Sequence, residues 1–334
     1  MLATERWEDR LRLGIVGAAG IATTAVIEPA HAVPEVELAG IAARDPARAE
    51  ALARRGGIER VYSSYSELIA DNSLDAVYVP LANSLHAEWT IAALEAGRHV
   101  LCEKPVGSNA AQAEEMVAVG QRCRRLMVEA FHWRYHPVAE RMVELGKLIG
   151  PLERVEAHFT VHIPTDNIRF QLELAGGSFM DLGCYCVHMA RTVVGSEPEV
   201  LRAKALEGPR GIDLSMEAEL RFPGGLPATV SSSMVAEKTI WPDAMSFRAW
   251  GEAGHFEVLN AMAPQLGHRI SATLVDGTTI DEVLALRASY EYQLRAFSLA
   301  VAGDAQPLTG GADAIANMRV IDAVYEASGL GKRH

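Results

Sequence analysis

Cysteine is scarce in this sequence, and long apolar runs are absent. The four cysteines among the 334 residues, at positions 102, 123, 184 and 186, form neither a C-x-x-C pair nor a zinc-ligand spacing. We expect free thiols, which excludes a secreted scaffold held by disulfide bonds. No apolar run approaches the roughly 20 residues of a membrane-spanning helix. The first residues are charged and contain no apolar core, so no signal peptide is predicted and a cytoplasmic location is expected.

Positively charged residues are also fewer than negatively charged ones. The chain has 31 Lys and Arg residues against 43 Asp and Glu residues, which gives a net charge of −12. This balance argues against binding to nucleic acid or to an anionic membrane. An anionic ligand would have to be held by local positive charge or by a helix N-terminus.

Strand and helix signals alternate through the first third of the chain. Single helical stretches separate four short apolar runs, which cover 11–16, 36–43, 75–80 and 99–102. This alternation is typical of a doubly wound parallel sheet with helices on both faces. We therefore predict an α/β fold that begins with a Rossmann domain over residues 1–128.

From about residue 129 the pattern changes to a period of two. Residues 155–161 and 216–222 alternate apolar with polar side chains, and further short strands follow. Such alternation is typical of an antiparallel sheet with one exposed face, which a partner subunit can cover. We predict a second α/β domain over 129–334, whose last helix, 311–328, can pack back on the first domain. Its other helices are predicted at 137–147, 176–194 and 286–302.

A turn with two glycines lies between the first strand and the first helix. Gly17 and Gly20 allow a tight turn in which a pyrophosphate can approach the backbone at the helix N-terminus. The turn departs from the G-x-G-x-x-G pattern, because Ala19 stands at the middle glycine position. It is compatible with dinucleotide binding and also with an ordinary strand–helix turn.

Arg44 follows the second strand, where NAD-binding domains carry an acidic residue that binds the ribose hydroxyls. A guanidinium at this position could hold a 2′-phosphate, which favours NADP over NAD. The neighbouring Asp45 is better explained as the N-cap of a helix that begins at Pro46. An arginine exposed in a loop is the alternative interpretation.

Two further segments carry candidate catalytic side chains. Lys104, in a Glu-Lys-Pro sequence, follows a strand at the edge where open α/β sheets bind ligands. Asp181 and Tyr185 are four residues apart and would share one face of a helix. To act as a base near pH 7, Tyr185 needs its pKa of about 10 lowered by about three units, or roughly 4 kcal/mol, which a neighbouring ammonium favours. A tyrosine packed in the core is the alternative interpretation.

The order of these motifs resembles the Gfo/Idh/MocA oxidoreductase family over nearly the whole chain. The resemblance rests on the glycine turn and on four further segments, 81–86, 96–105, 129–137 and 176–185. It points to the branch of dimeric dihydrodiol dehydrogenase, NADP-linked D-xylose dehydrogenase and glucose–fructose oxidoreductase. The resemblance implies a Rossmann domain followed by an α/β domain with a large, open, mostly antiparallel sheet.

The resemblance also implies roles for individual residues. Lys104 would orient substrate and cofactor, Tyr185 would exchange a proton with the substrate oxygen, and Asp181 would orient these groups. Arg134 and Arg169 resemble substrate-pocket positions. Trp133, Phe170 and Trp241 could add apolar walls, although core packing explains each of them equally well. The predicted cofactor-binding residues are Gly17, Ala18, Ala19, Gly20, Ile21, Ala22, Arg44, Leu81, Asn83, His86, Glu103 and Lys104.

No metal site and no hydrolase motif are predicted. Glu129, His132 and His136 have a suggestive spacing, but Pro137 disfavours helical backbone at His136, so these side chains need not share a face. The serines near residue 64 do not form the G-x-S-x-G sequence of a nucleophile elbow.

The sequence therefore predicts an oxidoreductase that transfers a hydride between NADP(H) and a sugar or polyol-like carbonyl or alcohol. NAD is the less expected cofactor, and a homodimer or homotetramer through the open sheet is expected. One alternative is an oxidoreductase that retains its nicotinamide while two substrates alternate. The other is a non-catalytic NADP(H)-binding regulatory protein.

Overall fold

The computed structural model describes residues 10–238 and 241–334 of the chain. The N-terminal segment that bears on the signal-peptide prediction lies outside these residues. The described chain forms two compact units. The first comprises the described part of Met1–Gly107 with Ala111–Tyr135 and Tyr290–Ala314, and the second comprises Ser108–Ala110, His136–Ser289 and Ile315–His334.

The first unit contains a six-stranded sheet in which all strands run parallel. Its strand order, β3-β2-β1-β4-β5-β6, is that of a Rossmann fold, as predicted. The central strands are buried on both faces, which explains why they are continuous apolar runs in the sequence. The strands are β1 (Leu11–Val16), β2 (Val36–Ala42), β3 (Val61–Tyr62), β4 (Ala76–Val79), β5 (His99–Cys102) and β6 (Met127–Glu129).

Local sequence signals explain where several helices begin and end. The Asp45 carboxylate accepts a hydrogen bond from the Ala47 N–H, as an N-cap does, and Gly57 ends the same helix in the left-handed conformation. Ser64 caps the next helix by accepting from the N–H of Glu67. Residues 23–27 and 179–183 are π-helical. The α-helices are α1 (Glu28–Ala30), α2 (Pro46–Gly56), α3 (Tyr65–Ala70), α4 (Asn83–Glu95), α5 (Ala110–Cys123), α6 (Pro137–Leu148), α7 (Cys184–Val194), α8 (Ser289–Ala302) and α9 (Gly311–Ala327).

The second unit contains an eight-stranded sheet of order β14-β13-β12-β11-β7-β10-β9-β8. Every neighbouring pair is antiparallel except β7 and β10, which confirms the prediction of a mostly antiparallel sheet. The strands are β7 (Leu152–Thr160), β8 (Glu199–Glu207), β9 (Asp213–Arg221), β10 (Pro227–Ser233), β11 (Met245–Gly251), β12 (Gly254–Leu259), β13 (Arg269–Leu274) and β14 (Thr279–Glu282).

Buried side chains alternate with exposed or half-buried ones along strands of this second sheet. In β9, Met216, Ala218 and Leu220 are buried, whereas the intervening side chains are exposed or half-buried. The edge strand β8 has no buried residue, and for that reason the sequence shows no clear strand pattern there. The assignment of nucleotide binding to residues 1–128, and of substrate binding and oligomerisation to 129–334, stays a prediction.

Candidate active site

The glycine turn lies at the topological switch point of the parallel sheet. β1 pairs with β2 on one side and with β4 on the other, and open α/β sheets bind ligands outside the carboxyl ends of the strands at such a point. A Cβ added to Gly17 would stand 2.7 Å from Cδ2 of Leu81, which follows β4. Gly17 also has a φ of 122°, a conformation that favours glycine. The end of β1 is therefore closely packed against the end of β4.

The outer side of this turn is accessible at the start of a helical segment. Ala18 and Ala19 are half-buried, and Gly20 and Ile21 are exposed, whereas Ala22 is buried. A Cβ added to Gly20 would meet no atom of the described chain within 4 Å. A phosphate group would fit beside such a turn, because helix N-termini present backbone N–H groups and a partial positive charge.

Two arginines supply positive charge near the turn. Arg44 follows β2 and is exposed. Arg48, on the first turn of α2, donates a hydrogen bond from Nη2 to the carbonyl oxygen of Ala18 at 2.8 Å. Sequence reasoning missed Arg48, whose position four residues after Arg44 was the available signal. Both guanidinium groups have the charge that a dinucleotide phosphate requires.

Lys104 lies beyond the carboxyl end of β5, in a segment fixed by buried groups. The neighbouring residue Glu103 is 8% exposed. It accepts a hydrogen bond from the Tyr78 hydroxyl at 2.7 Å and one from the Lys104 N–H at 3.2 Å. Burial and the charge of Glu103 raise the pKa of Tyr78 well above its usual range, so its hydroxyl keeps its proton and donates it.

Glu129 holds the other side of the same segment. Its side chain is fully buried, and Oε1 accepts a hydrogen bond from the Val106 N–H at 2.8 Å. Tyr78 and Glu129 were not predicted as supports for Lys104. Tyr78 is a polar-tipped side chain in a buried strand, which requires a hydrogen-bond partner, and that requirement was the missed signal.

His86 connects the segment after β4 with the segment of Lys104. Its fully buried ring has Nδ1 2.8 Å from the carbonyl oxygen of Pro105 and Nε2 3.1 Å from that of Leu81. Burial lowers the pKa of His86 from 6.5 to about 4, and the charge of Lys104 acts in the same direction. The ring is therefore neutral near pH 7 and can donate to only one of the two carbonyls. Its predicted contact with a cofactor stays a prediction.

In the second unit, two glycines precede the segment that carries Asp181. A Cβ added to Gly176 would stand 2.4 Å from the carbonyl oxygen of Arg169. Gly177 has a φ of 131°, and its added Cβ would stand 2.1 Å from Oδ1 of Asp213. Glycine is required at both positions because neighbouring atoms already occupy the space.

Asp181 forms an ion pair with Arg169. Nε of Arg169 lies 2.6 Å from Oδ2 of Asp181, and the two side chains are 39% and 13% exposed. A second contact joins Nη1 of Arg169 to Oδ1 of Asn167 at 3.2 Å. Sequence reasoning predicted Arg169 as a pocket residue but did not predict this pair. The ion pair balances the charge of the Asp181 carboxylate and limits its orientations.

Tyr185 is the second residue of α7 and lies beside aromatic rings. It is 4% exposed, and its ring stands edge-on to that of Phe159 with 6.0 Å between centroids. Phe159 in turn stands edge-on to Trp241 at 6.2 Å. Asp181 lies in the π-helical segment and Tyr185 in the α-helix that follows, so the two predicted catalytic residues belong to one continuous helical run.

The other predicted positions are spread over both units. Asn83 begins α4 and is half-buried, as is Leu81. Arg134 and Phe170 are half-buried, in short 3₁₀ segments of the first and the second unit. Trp133 is fully buried, and core packing explains this position without a substrate. The structure thus groups Gly17, Leu81, His86, Glu103 and Lys104 in the first unit, and Asp181, Tyr185 and Arg169 in the second.

Metal-binding and thiol chemistry find little support in the described chain. Among residues 10–238 and 241–334, no group of three or more His, Cys, Asp or Glu side chains could hold a metal ion. Burial raises the pKa of the Cys102 and Cys186 thiols. In the same described residues, no helix is long and apolar enough to cross a bilayer.

Comparison with known proteins matches both units of the chain. A family model described as the oxidoreductase family with an NAD-binding Rossmann fold, GFO_IDH_MocA, covers residues 11–130. The GFO/IDH/MocA C-terminal domain covers residues 136–257. A D-xylose 1-dehydrogenase (NADP(+)) of Haloferax volcanii is 38% identical over 96% of this chain and 98% of its own length.

Two solved structures have the same architecture. The aldose-aldose oxidoreductase of Caulobacter crescentus, complexed with glycerol, superimposes with a TM-score of 0.87 at 26% identity, over 96% of this chain and 98% of the other. A 3-ketoreductase of Actinomadura kijaniata, in complex with NADP and TDP-benzene, superimposes with a TM-score of 0.85 at 29% identity. That match covers 95% of this chain and 98% of the other.

Proposed function

This chain belongs to the Gfo/Idh/MocA oxidoreductase family, and we propose that it is an NADP-dependent oxidoreductase acting on a sugar or polyol-like carbonyl or alcohol. The observation that carries the proposal is the accessible glycine turn at the switch point of the parallel sheet, with Arg44 and Arg48 beside it. Its relatives named above are a xylose dehydrogenase, an aldose oxidoreductase and a ketoreductase, which supports the substrate class.

The residues of the first unit suit NADP(H). The turn at 17–20 has room for a pyrophosphate, and Arg44 and Arg48 carry the charge that a 2′-phosphate needs. These local cations offset a net charge of −12, which by itself disfavours a polyanionic ligand. When bound, the nicotinamide donates or accepts the hydride.

Three side chains are proposed to carry the rest of the reaction. The Tyr185 hydroxyl donates a proton to the substrate oxygen during reduction and removes one during oxidation. The Lys104 ammonium polarises that oxygen and, in oxidation, favours the phenolate form of Tyr185. Asp181 orients the reacting groups, and its own carboxylate is held by Arg169. Lys104→Ala and Tyr185→Phe should each reduce kcat by roughly 10²–10⁴-fold.

The substrate is proposed to be a polyhydroxylated molecule. Arg134, Arg169 and Phe170 are half-buried and retain exposed surface for such a ligand. Trp241 is also half-buried and belongs to the aromatic cluster of Phe159 and Tyr185. An aromatic ring can pack against the apolar face of a sugar while arginines donate to its hydroxyls.

A coupled cofactor screen tests this function. Purified protein would be incubated with NADP⁺ or NADPH, and in parallel with NAD⁺ or NADH, against aldoses, keto-sugars, inositols and cyclic diols. We expect NADP(H)-dependent turnover with at least one of these substrates. NADPH binding without any turnover would instead indicate a regulatory protein, and cofactor that co-elutes in gel filtration would indicate cycling between two substrates. A strong preference for NAD would contradict the role of Arg44.

A homodimer or homotetramer is proposed to form through the outer face of the eight-stranded sheet. This face carries cross-strand ion pairs such as Arg269–Asp281 at 2.7 Å, and small half-buried side chains such as Ser231 on the interior strand β10. Light scattering should give a mass of at least twice 36.1 kDa. Ser231→Arg should lower that mass, whereas Glu326→Arg, on α9, should not. A wild-type monomer would contradict the proposal.

A cytoplasmic location is proposed as well, and the four free cysteines are typical of a reducing compartment.

A further inference from the structure

A buried carboxylate lies at the start of the catalytic helical run of the second unit. Asp213, the first residue of β9, is fully buried and surrounded by four donors. Oδ2 accepts hydrogen bonds from the Ser178 hydroxyl at 2.9 Å and from the Phe179 N–H at 2.7 Å. Oδ1 accepts from the Tyr325 hydroxyl at 2.8 Å and from Nη2 of Arg333 at 2.7 Å. These four bonds join the start of the helical run to a distant part of the chain.

Arg333 supplies the charge that balances this carboxylate. It is only 3% exposed, and its guanidinium lies over the Tyr325 ring at 4.2 Å from the centroid. Its backbone carbonyl accepts a hydrogen bond from the Asn109 side chain at 2.8 Å. Because an uncompensated interior charge is costly, loss of Arg333 would displace the Asp213 carboxylate from its present position.

Asp213 is connected to Asp181 through the backbone of residues 177–181. Phe179 is the first residue of the π-helical segment, two positions before Asp181. The Asp181 N–H donates to the carbonyl of Gly177 at 3.1 Å, and Gly177 packs against Oδ1 of Asp213. Any movement of Asp213 would therefore displace the backbone from which the Asp181 side chain extends.

We propose that Asp213, held by Arg333, is a positioning residue for Asp181. The inference rests on the proposed function, in which Asp181 orients the reacting groups. Asp213 and Arg333 act through the backbone of residues 177–181, and the substrate contacts are made by other side chains. Their loss is expected to lower kcat more than it changes KM or NADPH affinity, because orientation rather than binding is affected.

Arg191 provides a matched control at the other end of the same helical run. It is 7% exposed, lies in the last turn of α7, and forms two hydrogen bonds with Glu197 at 2.6 and 2.8 Å. Arg191→Met removes a buried arginine at the end of the helical run. Arg333→Met removes the buried arginine that binds Asp213 at its start. A general loss of stability should affect both variants alike.

The kinetic test compares Arg333→Met, Arg333→Lys and Arg191→Met with the wild type. Arg333→Met should lower kcat by about ten- to a hundred-fold, with unchanged NADPH affinity. Arg333→Lys should recover part of this loss, because it restores the charge beside Asp213. Adding Arg333→Met to Asp181→Asn should cause no further loss, since both changes remove the same function. Equal losses in Arg191→Met, or losses that add to that of Asp181→Asn, would overturn the proposal.

Hydrogen exchange supplies a readout that needs no turnover. Deuterium uptake would be followed in peptides that cover residues 176–185 and residues 186–195. Arg333→Met should accelerate exchange in the first peptide selectively, and Arg191→Met should not. Unchanged exchange in the first peptide would overturn the proposal even if the wild type proved inactive. Inactivity of the wild type on the whole substrate panel would count against the proposed function alone.

Discussion

Lys104 shows how much a single residue depends on others that are distant in sequence. Its place after a strand could be predicted, because the apolar run of β5 ends just before it. The residues that fix its segment could not be predicted. The hydrogen bond between Tyr78 and Glu103 spans 25 sequence positions, and the one between Glu129 and Val106 spans 23. Such pairs form only after strands have been placed side by side, and no local sequence pattern encodes them. The hydrogen bond from Arg48 to the carbonyl oxygen of Ala18 likewise spans 30 sequence positions.

The two arginines near the glycine turn should affect cofactor affinity differently. Arg44→Ala should weaken NADPH binding by roughly ten- to a hundred-fold, the value of one charge-assisted contact, and leave NADH binding unchanged. Arg48→Ala also removes the bond to Ala18, so we expect both cofactors to bind less tightly. Isothermal titration with NADPH and NADH measures both effects. Equal loss of NADH and NADPH affinity in Arg44→Ala would contradict a contact with the 2′-phosphate.

His86 should make the stability of the protein sensitive to mild acid. The pKa of His86 is about 4 in the folded chain and near 6.5 in the unfolded chain. Below pH 6.5 the unfolded chain therefore binds a proton that the folded chain does not bind. The stability that the neutral, buried ring provides is fully present above pH 6.5 and is lost as the pH falls toward 4. Between about pH 7 and pH 5 the free energy of unfolding should fall by about 2 kcal/mol from this group.

Chemical denaturation of the wild type and of His86→Gln at both pH values measures this contribution. The variant should lose less stability between pH 7 and pH 5 than the wild type does. His136, whose pKa burial also lowers to about 4, is expected to leave a residual slope in the variant. An identical slope in both proteins would show that His86 does not titrate in this range.

Most helices and strands could be placed from local sequence signals. The cap of α2 by Asp45 and its end at Gly57 follow from residue preferences that act within one turn. The two π-helical segments, at 23–27 and 179–183, could not be predicted. Both lie where a helix begins beside a predicted functional segment, and π-helical turns are frequently found at functional sites.

Gly177 is the position where a small change should disturb a whole element. Gly177→Ala would place a Cβ 2.1 Å from Oδ1 of Asp213 at a φ of 131°, so the start of the helical run must move. Gly195→Ala is the control, because Gly195 also has a positive φ, of 73°, but meets no atom of the described chain within 4 Å.

We expect Gly177→Ala to lower the free energy of unfolding by several kcal/mol, since it combines backbone strain with a steric clash. Gly195→Ala should cost about 1–2 kcal/mol, from backbone strain alone. Chemical denaturation of the two variants gives the comparison. Similar losses in both would mean that the contact with Asp213 adds nothing to the requirement for glycine.

At the scale of the molecule, burial decides what could be predicted. β1 and β4 are buried on both faces and appear as continuous apolar runs, whereas β9 is buried on one face and alternates. β8 is buried on neither face and could not be predicted. The parallel pairing of β7 with β10 could not be predicted from the sequence either, because it depends on the path of the chain between the two strands.

The most direct test of the account is the turnover of Tyr185→Phe with NADP(H) and a substrate identified in the screen. The substitution removes one hydroxyl and keeps the ring that packs against Phe159, so folding and NADPH binding should be preserved. We predict that kcat falls by roughly 10²–10⁴-fold while the dissociation constant of NADPH is unchanged. Turnover near the wild-type rate would show that Tyr185 does not exchange the proton, and would contradict the proposed mechanism.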